Sequence, residues 1–160
     1  MKSFKNHWKT YLAWIAGTEA VGALSSLLTR EGNEIYNQTV QKPALSPPPI
    51  VFPIVWGILY ALMGIGAARI WLGPSRPRRT GSLVLYFVQL AFNFTWSLIF
   101  FNAQAYGWAL IWLAAMWLLI LWMTLSFSEL DRPAAWLQVP YLAWVLFAGY
   151  LNYGVWVLNR

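Results

Sequence analysis

The sequence predicts an all-α membrane protein, a bundle of five transmembrane helices that forms one domain over residues 1–160. Apolar residues make up 59% of the chain and charged residues only 10%, whereas soluble domains carry roughly a quarter charged residues. The apolar residues also fall into five continuous stretches, each close to the ~20 residues that a helix needs to cross a bilayer. We expect helices because backbone groups in lipid must pair within their own segment.

The five predicted helices cover residues 11–28, 49–72, 82–101, 108–125 and 136–158. Residues 29–48 form a long polar loop that is rich in proline, and a loop of this length is expected to act as a functional lid. Residues 73–81 form a basic turn, and two short links join the remaining helices.

The basic residues lie unevenly about these helices. Eight fall on one side: Lys2, Lys5, Lys9, Arg69, Arg76, Arg78, Arg79 and Arg132. Three fall on the other: Arg30, Lys42 and Arg160. The positive-inside rule therefore predicts a cytoplasmic N-terminus for a plasma-membrane protein. The short basic N-terminus favours a bacterial cell membrane.

Most conventional catalytic and metal-binding motifs are missing from the sequence. Without cysteine the chain has no disulfide, Cys-ligated zinc or thiol chemistry, and its single histidine, His7, lies in the basic N-terminal tail. No metal-ligand cluster or phosphate-binding loop is present, and the serines lack a histidine partner. The aromatic residues lie inside bilayer-length runs, which argues against nucleic acid as a partner.

Four polar residues lie at membrane depth: Glu19, Gln89, Asn93 and Asn152. An ionisable group inside a membrane is by default a functional hypothesis, so we favour a functional role for Glu19. The alternative is an interhelical hydrogen bond, which contributes on the order of 0.6 kcal/mol. We favour that structural role for Gln89, and both interpretations stay open for Asn93 and Asn152.

Several aromatic residues share helical faces with these polar groups. The sets at helical spacing are Trp56 and Tyr60; Asn93, Trp96 and Phe100; Trp108, Trp112 and Ala115; and Trp144, Ala148 and Leu151. Interfacial belts explain tryptophan near helix ends but not a stripe that Trp and Asn share inside a helix. Either an aromatic-lined cavity for a large flat ligand or ordinary core packing would explain the stripe.

Motifs along nearly the whole chain carry a family resemblance. KPALSPP at 42–48 precedes FPIVWGILY at 52–60, and QLAFNFTW at 89–96 precedes GWAL at 107–110. VPYLAW at 139–144 and LNY at 151–153 complete the set. Together they resemble the TspO/MBR family, which comprises bacterial tryptophan-rich sensory proteins and the translocator protein (peripheral-type benzodiazepine receptor).

The resemblance implies five tightly packed helices with a pocket open toward the first loop. It implies binding of porphyrins such as protoporphyrin IX and haem, and of related apolar ligands, by a sensor or carrier in a stress response that requires no cofactor. Matching positions around the pocket are Trp56, Tyr60, Asn93, Trp96, Phe100, Trp108, Trp144, Ala148 and Leu151. Family members often form homodimers, and the sequence leaves dimerisation open.

Two alternative functions stay open beside this interpretation. Some bacterial relatives are described as degrading protoporphyrin in light, which would make Trp56 and Trp144 catalytic. A small exporter of amphipathic compounds, with Glu19 as a proton-coupled site, is the other alternative. Leu45 stands where the family usually has tryptophan, and we expect this to alter how the loop closes. Six residues separate Tyr153 from Arg160, one beyond the limit of the sterol-recognition pattern, so cholesterol transport is poorly supported.

Overall fold

The computed structural model describes residues 4–160, with side chains from His7 onward, and within this range the regular elements are helices. They are α1 (Phe4–Leu28), α2 (Arg30–Thr39), α3 (Val51–Leu72), α4 (Pro77–Ser97), α5 (Tyr106–Leu130), α6 (Arg132–Trp136) and α7 (Val139–Leu158). A π-helical turn, Leu98–Asn102, continues α4. Lys2 and the side chain of Lys5, both used to predict orientation, lie outside the described residues.

Five helical stretches are long and apolar enough to cross a membrane, which confirms the predicted bundle. They are His7–Leu28, Val51–Leu72, Pro77–Asn102, Tyr106–Leu130 and Arg132–Leu158. The fourth predicted helix ended five residues too early, since α5 continues to Leu130. The fifth span consists of two helices, α6 and α7. Each has a proline in its first turn, where backbone N–H groups have no partner within the helix, so the missing N–H costs no hydrogen bond.

The prediction that residues 29–48 form a loop is wrong for the first half of this segment. Residues Arg30–Thr39 form α2, which buries Gly32 and Tyr36 against the bundle. These two residues are four apart and therefore lie on one helical face. The rest of α2 is exposed and, apart from Ile35, polar, so the segment has the average composition of a loop although one narrow face is packed.

Ion pairs join the helices at the end of the bundle that carries residues 73–76, here called the basic end. The Arg69 guanidinium contacts the Asp131 carboxylate through Nε–Oδ2 at 2.6 Å and Nη2–Oδ1 at 3.2 Å. Arg78 pairs with Glu129. These contacts link α3 and α4 to the end of α5. The opposite end, here called the loop end, carries α2, residues 40–50, residues 103–105 and the end of α7.

Helices α1 and α3 approach closely at Gly64. A Cβ atom added there would lie 2.7 Å from the Cα of Ile15 and 2.9 Å from the carbonyl oxygen of Trp14. Because those atoms belong to backbone, a larger side chain could be accommodated only by moving α1. This crossing places the middle of α1, including Glu19, beside the aromatic residues of α3.

Candidate functional site

A chain of buried hydrogen bonds joins α3, α4 and α7 at mid-membrane depth. The Tyr60 hydroxyl donates to Asn93 Oδ1 (2.9 Å), and Asn93 Nδ2 donates to the Tyr141 hydroxyl oxygen (2.7 Å). Tyr141 in turn donates to Gln89 Oε1 (2.7 Å). Asn93 is only 2% exposed. Its amide therefore works as the central connector, which fixes the relative positions of three helices.

A second polar connection lies nearer the loop end. The Trp96 indole donates from Nε1 to Asn152 Oδ1 (3.1 Å), and Asn152 Nδ2 donates to the backbone carbonyl of Tyr106 (2.9 Å). Both side chains are buried. Asn152 thus ties α7 to α4 and to the first residue of α5, and its hydrogen bonds show a structural role.

Trp56 and Trp144 lie between α3 and α7 and are half-buried. Trp56 stacks on Tyr60, with centroids 5.6 Å apart, and meets Tyr141 edge-on at 6.2 Å. Trp144 meets Phe52 edge-on at 5.9 Å. Phe52, Trp56 and Tyr60 are spaced four residues apart on α3, so they form one continuous aromatic face. We call this face and Trp144 the aromatic seam.

The indole nitrogen of Trp144 has no hydrogen-bond partner among the described residues, although it is buried. An unpaired buried donor is costly, by about 1–3 kcal/mol. This donor belongs to the seam, and a ligand that brings an oxygen acceptor there would pair with it. Ala148 and Leu151 follow Trp144 on the same face of α7 and pack against or within the core.

The π-helical turn brings the end of α4 under α2. Phe100 stacks on Trp96, with centroids 5.0 Å apart, and contacts Tyr36 of α2 at 5.4 Å. Phe101 meets Tyr36 edge-on at 5.5 Å. A π turn inserts extra backbone and shifts the side chains that follow it, and such turns recur at functional sites. Helix α2, here called the lid, therefore covers this end of the bundle, and its buried Tyr36 ring rests on the interior aromatic residues.

Lys42 holds the end of this lid. Its Nζ donates to the carbonyl oxygens of Tyr36 (2.9 Å) and Val40 (3.1 Å) at the end of the helix. The Tyr36 carbonyl also accepts the Val40 backbone N–H (3.4 Å). The same ammonium lies 4.8 Å from the centre of the Tyr36 ring. Burial, together with the nearby Tyr106, raises the pKa of Tyr36 to about 12, so its hydroxyl stays neutral at physiological pH.

Residues 41–45 are fastened to α7. Asn159 accepts from the Gln41 backbone N–H (3.0 Å) and donates back to the Gln41 carbonyl (2.7 Å). The Tyr150 hydroxyl donates to the carbonyl of Ala44 (2.8 Å). Leu45 follows with φ 70° and a side chain 81% exposed. A leucine in this left-handed conformation is strained by about 1–2 kcal/mol.

The structure does not place Trp108 with the other predicted pocket residues. Trp108 is 72% exposed, and with Trp156 and Arg160 it lines a separate open groove of about 500 Å³ at the loop end. Trp108 and Trp112 share one helical face, as their spacing predicts, but Trp108 points away from the core. The physical reason is that Ala109 faces the core, and adjacent helical residues differ by about 100°.

Two residues of this region were missed by sequence reasoning. Tyr141 is the partner that joins Asn93 to Gln89, and its spacing three residues before Trp144 was a signal that both share a face. Tyr36 had no such signal, because it stands alone in a polar segment. The other predicted residues, apart from Trp108, lie in or against one continuous core.

Five spanning helices around an aromatic interior make this chain an integral multi-pass membrane protein. It belongs to the TspO/MBR family, whose profile matches residues 13–157. It is 37% identical to the translocator protein of Bos taurus over 141 residues, which cover 87% of this chain and 83% of that protein. The tryptophan-rich protein TspO of Chlorobaculum tepidum is also 37% identical over 141 residues, covering 88% and 89%. The tryptophan-rich protein TspO of Archaeoglobus fulgidus is 32% identical over 152 residues, covering 92% and 95%.

Proposed function

We propose that this protein binds tetrapyrroles such as protoporphyrin IX and haem, and related flat apolar ligands, at the aromatic seam. It would act as a sensor or carrier in a stress response. The observation that carries the proposal is the composition of the seam. Its two tryptophans, Trp56 and Trp144, are half-buried. Its tyrosine, Tyr60, begins the buried hydrogen-bond chain to Asn93 and Tyr141. Aromatic walls with few polar groups are typical of sites for flat apolar ligands.

The dimensions of the seam suit a flat macrocycle. From Phe52 to Tyr60 the aromatic face of α3 spans nine residues, and the eight steps between them cover about 12 Å of helix axis. The side chains of α3 and α7 contact each other across the seam. A ligand must therefore displace one of the half-buried rings of the seam, Phe52, Trp56 or Trp144.

Access to the seam is proposed to depend on α2. Tyr36 rests on Phe100, and Lys42 holds the end of α2 by hydrogen bonds to backbone carbonyls. These contacts are few, and their α2-side residues, Tyr36 and Lys42, lie outside the membrane-spanning helices. Opening α2 would expose Phe100 and Trp96 while leaving the five spans in place.

The first test is a titration of the detergent-solubilised protein with protoporphyrin IX in the dark, followed by quenching of tryptophan fluorescence. We expect saturable quenching near one ligand per chain. Trp144→Ala should weaken binding at least tenfold. Trp122→Ala is the matched control, because Trp122 is 62% exposed and lies on α5, away from the seam.

The opposite result would be linear quenching that does not saturate and is equal in both variants. Porphyrin would then only partition into the micelle, and the proposed site would be abandoned. Weakening by Trp144→Ala alone, with Trp122→Ala unchanged, assigns binding to the seam.

A second candidate function is light-dependent degradation of protoporphyrin by dioxygen. It is favoured by the position of Trp56 and Trp144, two oxidisable indoles that line the same seam. Trp56→Phe and Trp144→Phe keep aromatic rings in place. Under this function they should retain dark binding and lose the light-dependent loss of porphyrin absorbance. Retention of that loss in both variants would remove the enzyme hypothesis.

The proposed location is a bacterial cell membrane with the basic end in the cytoplasm. Support comes from the distribution of basic residues about the five spans. Because the chain has no cysteine, single cysteines introduced at Ser75 and Gln38 can be labelled without background. Both positions are exposed, at the basic and loop ends respectively. An impermeant maleimide applied to intact cells should label only Gln38→Cys, and labelling of Ser75→Cys alone would reverse the orientation.

A further inference from the structure

Glu19 lies inside the membrane span of α1, at the interface with α3. It is four residues after Ile15 and three before Gly22, so the three share a helical face. Ile15 meets Gly64 of α3, and Gly22 packs against the Tyr60 ring. Glu19 therefore lies on the face of α1 that packs against α3, between the Gly64 crossing and the Tyr60 ring that starts the buried hydrogen-bond chain.

The carboxylate of Glu19 lacks an internal partner among the described residues. Its Oε1 is buried and accepts no hydrogen bond there, and neither of the two interhelical ion pairs described above includes it. Those ion pairs, Arg69–Asp131 and Arg78–Glu129, lie at the basic end. A carboxyl group at membrane depth is costly and is normally kept for a partner or a function. Neither the buried hydrogen-bond chain nor the contacts of α2 include Glu19.

The surroundings of Glu19 combine the two features that recognise an amine. A carboxylate supplies the opposite charge and accepts N–H hydrogen bonds, and such charge-assisted bonds are the stronger kind. The neighbouring Tyr60 ring, stacked on Trp56, presents aromatic faces that attract cations. The resulting pair is the same whether the proton arrives on the amine or on the carboxyl group.

We propose that Glu19 selects ligands by charge, so that the seam favours amphiphiles carrying a basic amine over those carrying a carboxylate. The inference rests on the proposed function, because it assigns a polar preference to the same site. Glu19 is half-buried, which leaves its carboxylate within reach of a ligand that enters beside α1. Tetrapyrroles with anionic side chains would bind with those groups directed away from Tyr60.

The test uses three ligands with one macrocycle: protoporphyrin IX, its dimethyl ester, and its bis-amide with N,N-dimethylethylenediamine. Each is titrated in the dark against wild type, Glu19→Gln and Glu34→Gln. Glu34 is exposed on α2, so its substitution makes the same change of net charge outside the membrane. We expect Glu19→Gln to weaken the diamine about tenfold, corresponding to loss of one charge-assisted bond. The ester should change less than twofold, and Glu34→Gln should leave all three unchanged.

Equal weakening of all three ligands by Glu19→Gln would show that the residue only shapes the bundle, and no change for the diamine would also overturn charge selection. A shift in the monomer–dimer ratio without a change in ligand preference would assign Glu19 to contact between copies of the chain, again against the proposal.

A second pair of probes separates this inference from the tetrapyrrole hypothesis. Pyrenebutylamine and pyrenebutanol differ only in the amine, and energy transfer from tryptophan reports their binding. If no porphyrin binds but wild type prefers the amine and Glu19→Gln does not, charge selection stands and the tetrapyrrole function fails. If the porphyrin dimethyl ester binds saturably, but neither the porphyrins nor the pyrene compounds show an amine preference that depends on Glu19, the tetrapyrrole function stands and charge selection fails.

Discussion

Asn93→Leu tests whether the buried hydrogen-bond chain stabilises the bundle. Leucine keeps a similar size but removes both the acceptor for Tyr60 and the donor to Tyr141. Tyr141 keeps its bond to Gln89. The Tyr60 hydroxyl, which is buried, is left without its partner.

The magnitude follows from these contacts. Interhelical hydrogen bonds in membranes average about 0.6 kcal/mol each, so two lost bonds cost about 1.2 kcal/mol. A buried hydroxyl left unpaired adds about 1 kcal/mol or more. We expect a total near 2 kcal/mol. Tyr60→Phe removes the stranded hydroxyl and breaks the same Tyr60–Asn93 bond. The double variant should therefore cost at least about 1.6 kcal/mol less than the sum of the single variants, about 1 for the hydroxyl and about 0.6 for the bond counted twice.

The assay is reversible unfolding in mixed micelles, with the free energy of unfolding measured for both single variants and the double variant. Thr95→Val is the control on the same helix, because the Thr95 hydroxyl donates to the carbonyl of Ala91 within α4 and joins no second helix in the described part of the chain. It should cost less than about 0.5 kcal/mol. The reasoning is refuted if Asn93→Leu costs no more than this control, or if its effect adds to that of Tyr60→Phe without coupling.

Three further predictions concern backbone approach, backbone strain and the lid. Gly64→Ala should lower the free energy of unfolding by about 1–3 kcal/mol, because the new Cβ atom meets the α1 backbone. Gly57→Ala is the control: its Cβ atom would lie more than 4 Å from other described groups, so the same assay should show no loss or a gain of stability. Leu45→Gly should raise stability by about 0.5–1 kcal/mol by relieving the positive φ, and a lower melting temperature would contradict this. Lys42→Met should speed hydrogen exchange of the α2 amides about tenfold, since it removes the carbonyl contacts and the cation above Tyr36; unchanged exchange would show that α2 is held by its ring contacts alone.

The sequence predicted the five spans but not the helix α2, which it assigned to a loop, and there is a physical reason for the difference. A spanning helix needs about 20 apolar residues, so its signal is a sum over many positions. Helix α2 needs only Gly32 and Tyr36 on its packed face, and two residues in a polar segment give no periodic signal. The π-helical turn had no signal either, because it depends on how the end of α4 packs against Tyr36.

Within the site, sequence spacing identified which residues share a face of one helix. Asn93, Trp96 and Phe100 are all buried as predicted. Trp108 shows the limit of this reasoning. Its spacing to Trp112 is correct for one face, but Ala109 faces the core and turns Trp108 outward.

The sequence by itself determined the membrane class, the five spans and the family resemblance, because hydropathy and motifs are properties of consecutive residues. Only the tertiary structure decided that Asn93 bonds to Tyr60 and to Tyr141, residues 33 and 48 positions away. It also decided that the face of α1 that carries Glu19 packs against Tyr60, and that Oε1 of Glu19 has no hydrogen-bond partner among residues 7–160. Helical periodicity fixes which side chains share a face, whereas the packing of whole helices decides which faces meet.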